Sequence, residues 1–217
     1  MRKEERFRLV LNYFLKNHPI AETELLYTDP YELVVAVILS AQCTDKRVNI
    51  ITPPFFRAFP DVRSLANANP SEVFELIRSC SYPNNKTKNL IAMAKVLVEN
   101  YNGILPSDVD ELQQIPGIGR KTANVLASVI YNKPALAVDT HVFRVSARIG
   151  LSHNAKSPIQ TEQQLVKYIP EDLRSIAHHW LILHGRYICQ ARKPKCMDCG
   201  LKDFCKYYLT DKTTKSC

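Results

Sequence analysis

The chain has 217 residues, 46% hydrophobic and 23% charged, which is typical of a globular protein of one or two domains and excludes a disordered or fibrous chain. Its 29 lysines and arginines against 21 acidic residues give a formal charge of +8, which favours a polyanionic partner without identifying one. Charges run through the N-terminal segment, and the longest aliphatic run, Leu33 to Leu39, has seven residues. We therefore expect no signal peptide and no membrane span, and we predict a cytoplasmic protein.

Helix start signals recur along the first half of the chain. In "DPYELVVAVILSAQ", Asp29 suits an N-cap, Pro30 the first helical position and Glu32 a capping box, and Asn69 and Pro70 repeat the pattern. No segment shows a convincing period-2 alternation, and no internal repeat is found. The sequence predicts an all-α fold of roughly ten helices.

A glycine hairpin follows the helix that begins at Ser107 or Asp108. In the stretch "IPGIGRKTA", a Pro-Gly-x-Gly turn precedes a helix that starts near Arg120; the turn consists of Pro116, Gly117, Ile118 and Gly119. The amides of such a turn and of the helix N-terminus can bind a phosphate oxygen. A plain connection between two helices is the alternative, and the two glycines alone favour it.

Two residues near the hairpin carry candidate chemistry. Lys121 lies in the first turn of its helix, where the positive end of the helix dipole favours the neutral amine that can form a Schiff base with a sugar carbon. Asp139 lies in the apolar segment "ALAVDTHVFRV", where a carboxylate is costly unless it is paired or used. Asp139 is equally suited to cap a helix that starts at Thr140.

Four of the seven cysteines fall within 17 residues, with the spacing C-x6-C-x2-C-x5-C: Cys189, Cys196, Cys199 and Cys205. Four thiolates suit a tetrahedral zinc or a [4Fe–4S] cluster. Only one CxxC pair is present, whereas four-cysteine zinc sites usually have two, so the spacing favours the cluster and keeps zinc as the alternative.

The segment between the first two of these cysteines, "QARKPK", is cationic. It contains Arg192, Lys193 and Lys195 and no apolar residue that would anchor it to a core. We expect the metal centre to hold this loop in place, so that its cations contact the anionic groups of a polyanionic partner at a low entropic cost.

These motifs together resemble the endonuclease III group of helix-hairpin-helix DNA glycosylases. The resemblance rests on "LLYTDPYELVVAVILSAQCTDKRVN", "LQQIPGIGRKTANVLA", "AVDTHVFRVSARIGL" and "HHWLILHGRYICQARKPKCMDCGLKDFC", which occur in the family's order over nearly the whole chain. It implies two helical lobes with a cleft between them. Residues 21–133 would form one lobe with the hairpin, and residues 1–20 plus 134–217 the other, with a [4Fe–4S] cluster at 189–205.

The resemblance also implies an activity. The chain would flip damaged pyrimidines out of duplex DNA and excise them, with Lys121 attacking C1′ and Asp139 assisting; the resulting Schiff base would give an AP lyase that cuts 3′ to the abasic site. Gln42 matches the family's residue facing the orphaned base. Tyr82 stands where the family has a different wedge residue, and its ring could stack between bases. The expected partner is duplex DNA with damaged pyrimidines or abasic sites, and the expected state is a monomer.

Alternative functions come from the same superfamily and from outside catalysis. A monofunctional mismatch or photodimer glycosylase shares the fold, although the adenine-specific enzyme lacks a lysine at the position of Lys121. In a helix-hairpin-helix protein that only binds DNA, Lys121 and Asp139 would have no catalytic role. Cys43, Cys80 and Cys217 receive no role.

Overall fold

All the secondary-structure elements of residues 1–210, the part of the chain that the computed structural model describes, are helices. No strand occurs in that part, which confirms the predicted all-α class. Cys217 lies outside the described residues. The α-helices are α1 (Lys3–Asn17), α2 (Pro30–Ser40), α3 (Asp45–Ala58), α4 (Val62–Ala66), α5 (Pro70–Ile77), α6 (Pro83–Tyr101), α7 (Val109–Gln113), α8 (Arg120–Tyr131), α9 (Thr140–Ile149), α10 (Pro158–Leu165), α11 (Arg174–Tyr187) and α12 (Lys206–Thr210). Two short 3-10 helices cover Glu171–Leu173 and Lys202–Phe204.

The chain divides into two compact units. The first, here called the hairpin unit, is the continuous segment Thr23–Tyr131 and contains α2 to α8. The second, the terminal unit, combines residues 1–22 with the described residues from Asn132 onward, so α1 packs with α9 to α12.

Helix α2 is the centre of the hairpin unit. Every residue from Leu33 to Leu39 is buried, and α2 packs against α3, α6 and α8. Its aliphatic run therefore forms a core helix, in which each side chain removed from water contributes about 1.5–3 kcal/mol. The turn that follows α2 is fixed to this core.

Local capping explains where several helices begin. Asp29 accepts a hydrogen bond from the Glu32 N–H at 2.8 Å, as predicted, but the predicted capping box is wrong in its second half. The Glu32 carboxylate accepts from the Thr28 N–H at 2.7 Å, one residue before the cap. Asp108, rather than Ser107, caps α7 by accepting from the backbone of Asp110 and Glu111.

The core of the terminal unit is aromatic and aliphatic. Phe14 of α1 stacks on Trp180 of α11 with ring centroids 5.5 Å apart, and the Trp180 indole donates to the His18 carbonyl at 2.7 Å. Helices α9 and α11 approach closely at Gly185, where an added Cβ would lie 3.0 Å from the Cβ of His141. This contact fixes α9, which carries Asp139 at its start, against α11, which ends just before Cys189.

None of the helices in residues 1–210 combines the length and the apolar character needed to cross a lipid bilayer.

Candidate nucleic-acid interface and metal centre

The connection between α7 and α8 is a tight hairpin built on two buried isoleucines. Ile115 and Ile118 are both buried, and the Ile118 N–H donates to the Ile115 carbonyl at 3.1 Å. Gly117 lies between them with φ +83°, in the left-handed region, and a Cβ there would lie 3.0 Å from the Asn89 Cβ. Both observations require glycine at this position.

The two glycines of the hairpin present their amides to solvent. Both are exposed, and among residues 1–210 the N–H groups of Gly117 and Gly119 donate to no backbone carbonyl. A Cβ on Gly119 would meet no atom within 4 Å, so the space beside it is open. Free amides at a helix N-terminus, with room for an anion in front of them, suit a phosphate oxygen.

Lys121 is the second residue of α8 and its side chain is exposed. The preceding Arg120 is exposed as well, which gives the N-terminal end of α8 two cationic side chains next to the glycine amides. The exposed amine of Lys121 thus follows two residues after Gly119, beside which the space is open.

Two further turns of the hairpin unit are joined to each other. Gln42 follows α2 and Tyr82 precedes α6, and both have left-handed backbones with φ of 53° and 55°. The Ser81 hydroxyl donates to the Gln42 carbonyl at 2.6 Å, which connects the two turns. Gln42 is exposed and Tyr82 is 61% exposed, so an amide and an aromatic ring project from one joined surface.

A buried lysine, Lys86, supports the joined turns at Gln42 and Tyr82. The side chain of Lys86 is buried, although lysine is usually a surface residue. Its ammonium donates to the carbonyls of Leu39 at 2.7 Å and Ala41 at 2.8 Å, which are among the last carbonyls of α2 and its cap. Burial lowers the pKa of Lys86. A buried lysine therefore caps the helix that leads to Gln42.

The glycine hairpin belongs to the same surface. A Cβ added at Gly117 would lie 3.5 Å from Ile38, in the last turn of α2, and 3.0 Å from Asn89, in the second turn of α6. Gln42 and Tyr82 lie at these same two helix ends. The hairpin unit thus brings three turns together, and we call them the three-turn surface: Gln42–Cys43, Ser81–Tyr82 and Pro116–Gly119.

Asp139 is the N-cap of α9 in the terminal unit. One of its carboxylate oxygens, Oδ1, accepts from the Val142 N–H at 2.8 Å, and the side chain is half-buried. The capping role that the sequence allowed is therefore present. The capping hydrogen bond uses only Oδ1 of Asp139, and the other carboxylate oxygen, Oδ2, takes no part in it.

The four clustered cysteines line a single cavity of the terminal unit. It is partly open to solvent, and its wall includes Ile149, Ile188 and Leu201. No group of three or more His, Cys, Asp or Glu side chains in residues 1–210 is arranged to hold one metal ion. Four soft sulfur ligands around an apolar cavity are a donor set that fits an iron–sulfur cluster.

Nitrogen donors approach two of these sulfurs. His184 Nε2 lies 3.5 Å from Cys199 Sγ, and Arg148 Nη1 lies 3.6 Å from Cys189 Sγ. Burial raises the pKa of the Cys199 thiol to about 11. Hydrogen bonds to sulfur ligands of this kind are known to tune iron–sulfur centres.

The cationic loop has a second anchor that the sequence did not reveal. Arg148 of α9 donates to the carbonyls of Gln190 at 2.6 Å and Ala191 at 3.0 Å, and Arg144 donates to the Cys189 carbonyl at 3.3 Å. The expectation that the metal centre alone holds the loop is therefore incomplete. The three cations of the loop are exposed: Arg192, Lys193 and Lys195.

The adjacent histidines of α11 are packing residues. His178 is buried with Nδ1 2.7 Å from the Ala137 carbonyl, and His179 is buried beside it. Burial, with a smaller contribution from Arg186, lowers the pKa of His179 to about 4. His179 is therefore neutral at physiological pH.

Comparison with known proteins identifies the family. Residues 35–171 match the HhH-GPD superfamily of base excision DNA repair proteins, and residues 189–205 match the iron-sulfur binding domain of endonuclease III. The endonuclease III of Rickettsia felis is 45% identical over 92% of this chain and 93% of its own length. The endonuclease III of Escherichia coli K12 is 39% identical over 95% of this chain and 97% of its own.

A solved structure of a trapped endonuclease III–DNA covalent intermediate superimposes with a TM-score of 0.91 at 41% identity, covering 96% of this chain and 98% of that one. The iron-sulfur match decides between the two cofactors that the cysteine spacing allowed, in favour of the cluster. Sequence, structure and cofactor domain agree, and the chain belongs to the endonuclease III family of HhH-GPD base excision DNA repair proteins.

Proposed function

We propose that this base excision repair enzyme removes oxidised pyrimidines from duplex DNA and then cuts the strand 3′ to the abasic site through a Schiff base on Lys121. The observation that supports this most directly is the exposed amine of Lys121, one residue inside α8 and directly behind the open glycine amides. A related protein is captured as a covalent endonuclease III–DNA intermediate, which is consistent with a nucleophilic residue in the family.

The three-turn surface holds the DNA in this proposal. A backbone phosphate binds the amides of Gly117 and Gly119, while the loop cations around Lys193 contact phosphates elsewhere on the duplex. The Gln42 side chain faces the base left unpaired, because an amide can both donate to and accept from its edge. The Tyr82 ring stacks in the gap left by the flipped base.

Lys121 and Asp139 carry the chemistry. The Lys121 amine attacks C1′ of the flipped nucleotide through its nitrogen lone pair, and the bond from C1′ to the base breaks with its electron pair leaving on the base. Loss of the amine proton and opening of the sugar ring give an imine between Nζ and C1′. Removal of a C2′ proton then breaks the bond from C3′ to the phosphate oxygen. Asp139 assists by accepting the lysine proton or by balancing positive charge on the sugar.

The iron–sulfur cluster, when bound, supplies a structural cross-link among four sulfurs rather than a reagent. Cys189, Cys196, Cys199 and Cys205 would hold it. The loop between the first two, already held by Arg148, is then fixed at both ends. We further propose that the two lobes at 21–133 and at 1–20 plus 134–217 act together as a monomer in the cytoplasm, bound to nucleoid DNA.

Substitutions at Asp139 separate its capping role from catalysis. Asparagine caps helices about as well as aspartate, so Asp139→Asn should keep the melting temperature while it lowers base release and strand cleavage on a thymine glycol duplex. Asp139→Ala should lose both activity and about 1 kcal/mol of stability. If Asp139→Asn retains wild-type excision kinetics, Asp139 is only a cap and the proposed catalytic role is wrong.

A further inference from the structure

Two cysteines outside the metal centre lie close together at the three-turn surface. Cys43 Sγ lies 3.9 Å from Cys80 Sγ, although 37 residues separate them in the chain. Cys43 directly follows Gln42, and Cys80 is two residues before Tyr82. Cys43 therefore belongs to the turn that projects the amide, and Cys80 directly precedes the turn that projects the aromatic ring.

The two thiols differ in exposure. Cys43 is partly exposed, whereas Cys80 is 4% exposed. A small oxidant dissolved in water therefore meets Cys43 first, and Cys80 is the buried partner. Burial raises the pKa of Cys80 to about 11, while the nearby cations of Lys86 and Arg47 favour its thiolate. Such a partner stays reduced until its neighbour has been activated.

We propose that Cys43 and Cys80 form a reversible disulfide when the protein meets hydrogen peroxide, and that this bond restrains the three-turn surface. The Cys43 sulfur attacks one peroxide oxygen and the O–O bond breaks. The other oxygen leaves as water with the Cys43 proton, and Cys43 becomes a sulfenic acid. The Cys80 sulfur then attacks the Cys43 sulfur, the S–O bond breaks, and a second water leaves with the Cys80 proton. Two thiols lose two electrons, and one peroxide gains them.

The geometry allows this bond with a local movement. The sulfurs stand 3.9 Å apart and a disulfide joins them at about 2.0 Å, so they must approach by roughly 1.9 Å. Both cysteines lie in turns rather than inside helices. The approach pulls the turns together next to Gln42 and Tyr82, whose left-handed backbones lie in a small allowed region that tolerates little displacement. The oxidised surface therefore presents these two side chains differently.

Peptide mapping tests the disulfide on the iron-replete protein. The protein is treated with hydrogen peroxide at doses that leave the visible absorbance of the cluster unchanged, then alkylated, digested and analysed by mass spectrometry. We expect a linked peptide pair containing Cys43 and Cys80, two hydrogens lighter than the separate thiol peptides and released by dithiothreitol. Cys43→Ser and Cys80→Ser must each abolish the link. Two alkylated thiols, or an unlinked sulfinic acid on Cys43, would overturn the proposal.

The effect of the disulfide on the three-turn surface is measured as the rate of excision, and this part of the test rests on the proposed function. Oxidised wild-type protein should excise thymine glycol at least fivefold more slowly than reduced protein, with recovery in dithiothreitol, while Cys43→Ser should show no change on oxidation. An unchanged rate in protein whose disulfide has been mapped would overturn the restraint. Failure of the reduced protein to excise would instead refute the proposed function, and the peptide map would still decide the disulfide.

Discussion

Gly117 and Gly119 are two residues apart, yet the structure assigns them different constraints. Gly117 has φ +83° and its hypothetical Cβ lies 3.0 Å from Asn89, whereas a Cβ on Gly119 meets nothing within 4 Å. Alanine at these two positions is therefore a matched pair of perturbations. The same methyl group is added to the same turn, with strain at one site and open space at the other.

The expected magnitudes follow from backbone energetics. A left-handed conformation costs a residue with a Cβ roughly 1–2 kcal/mol, and the tight contact with Asn89 adds to this. Alanine also reduces the entropy of the unfolded chain, which offsets about 0.4–1 kcal/mol at either site. Gly117→Ala should therefore lower the free energy of unfolding by about 1 kcal/mol or more. Gly119→Ala should stay within about 0.5 kcal/mol of wild type, because its entropy gain offsets a weaker N-cap.

Thermal unfolding followed by helical circular dichroism measures the difference. For a chain of this size each kcal/mol shifts the melting temperature by about 2–4 °C, so Gly117→Ala should melt about 2–4 °C or more below wild type and Gly119→Ala within about 1–2 °C of it. Affinity for duplex DNA should fall in Gly117→Ala, since a turn that relaxes to negative φ turns its amides away from the phosphate. Equal melting temperatures for the two variants would refute the left-handed turn and the phosphate site built on it.

Three other substitutions test separate parts of the account. Tyr82→Asn removes the ring but keeps a residue that tolerates the left-handed backbone, so the melting temperature should not change. Affinity for an abasic duplex should weaken by about 1–3 kcal/mol. A wild-type affinity in an anisotropy titration would exclude the wedge role. Arg148→Lys keeps the charge but not the forked contacts to the loop, and a severalfold higher Kd for DNA should result; a Kd equal to wild type would show that the anchor has no part in binding. His179 has a folded pKa of about 4 against 6.5 unfolded, so the unfolded chain binds the extra proton and stability is lost as pH falls from about 6.5 to 4. His179→Gln should flatten the pH dependence of stability in that window, and an unaltered slope in denaturant titrations would contradict the buried neutral histidine.

The features that sequence predicts well here are those whose partners lie within one helical turn. Asp29 and Asp108 cap helices because each accepts from an amide two or three residues ahead, and a short motif contains both groups. The hairpin is equally local, since its glycines provide the backbone freedom that the turn needs. The cysteine spacing is local as well, and it brings four sulfurs to one cavity.

The features that sequence does not predict depend on distant partners. Lys86 has the appearance of a surface cation, but its bonds are to carbonyls 45 and 47 residues earlier. Arg148 holds a loop that lies 42 and 43 residues further along the chain. The proximity of Cys43 to Cys80 likewise depends on how α2, α5 and α6 pack. Residue type and spacing carry no signal for such tertiary pairs in a single sequence.

The Schiff base on Lys121 is the central claim, and reductive trapping tests it most directly. The iron-replete protein is incubated with a thymine glycol duplex in borohydride, alongside Lys121→Gln and a control variant, Lys95→Gln, which alters an exposed lysine of α6. We predict a stable protein–DNA adduct for wild type and Lys95→Gln, with the sugar remnant mapped to Lys121, and no adduct for Lys121→Gln. An adduct of equal yield in Lys121→Gln would contradict the account. So would the absence of an adduct in wild-type protein that binds both the thymine glycol duplex and an abasic duplex.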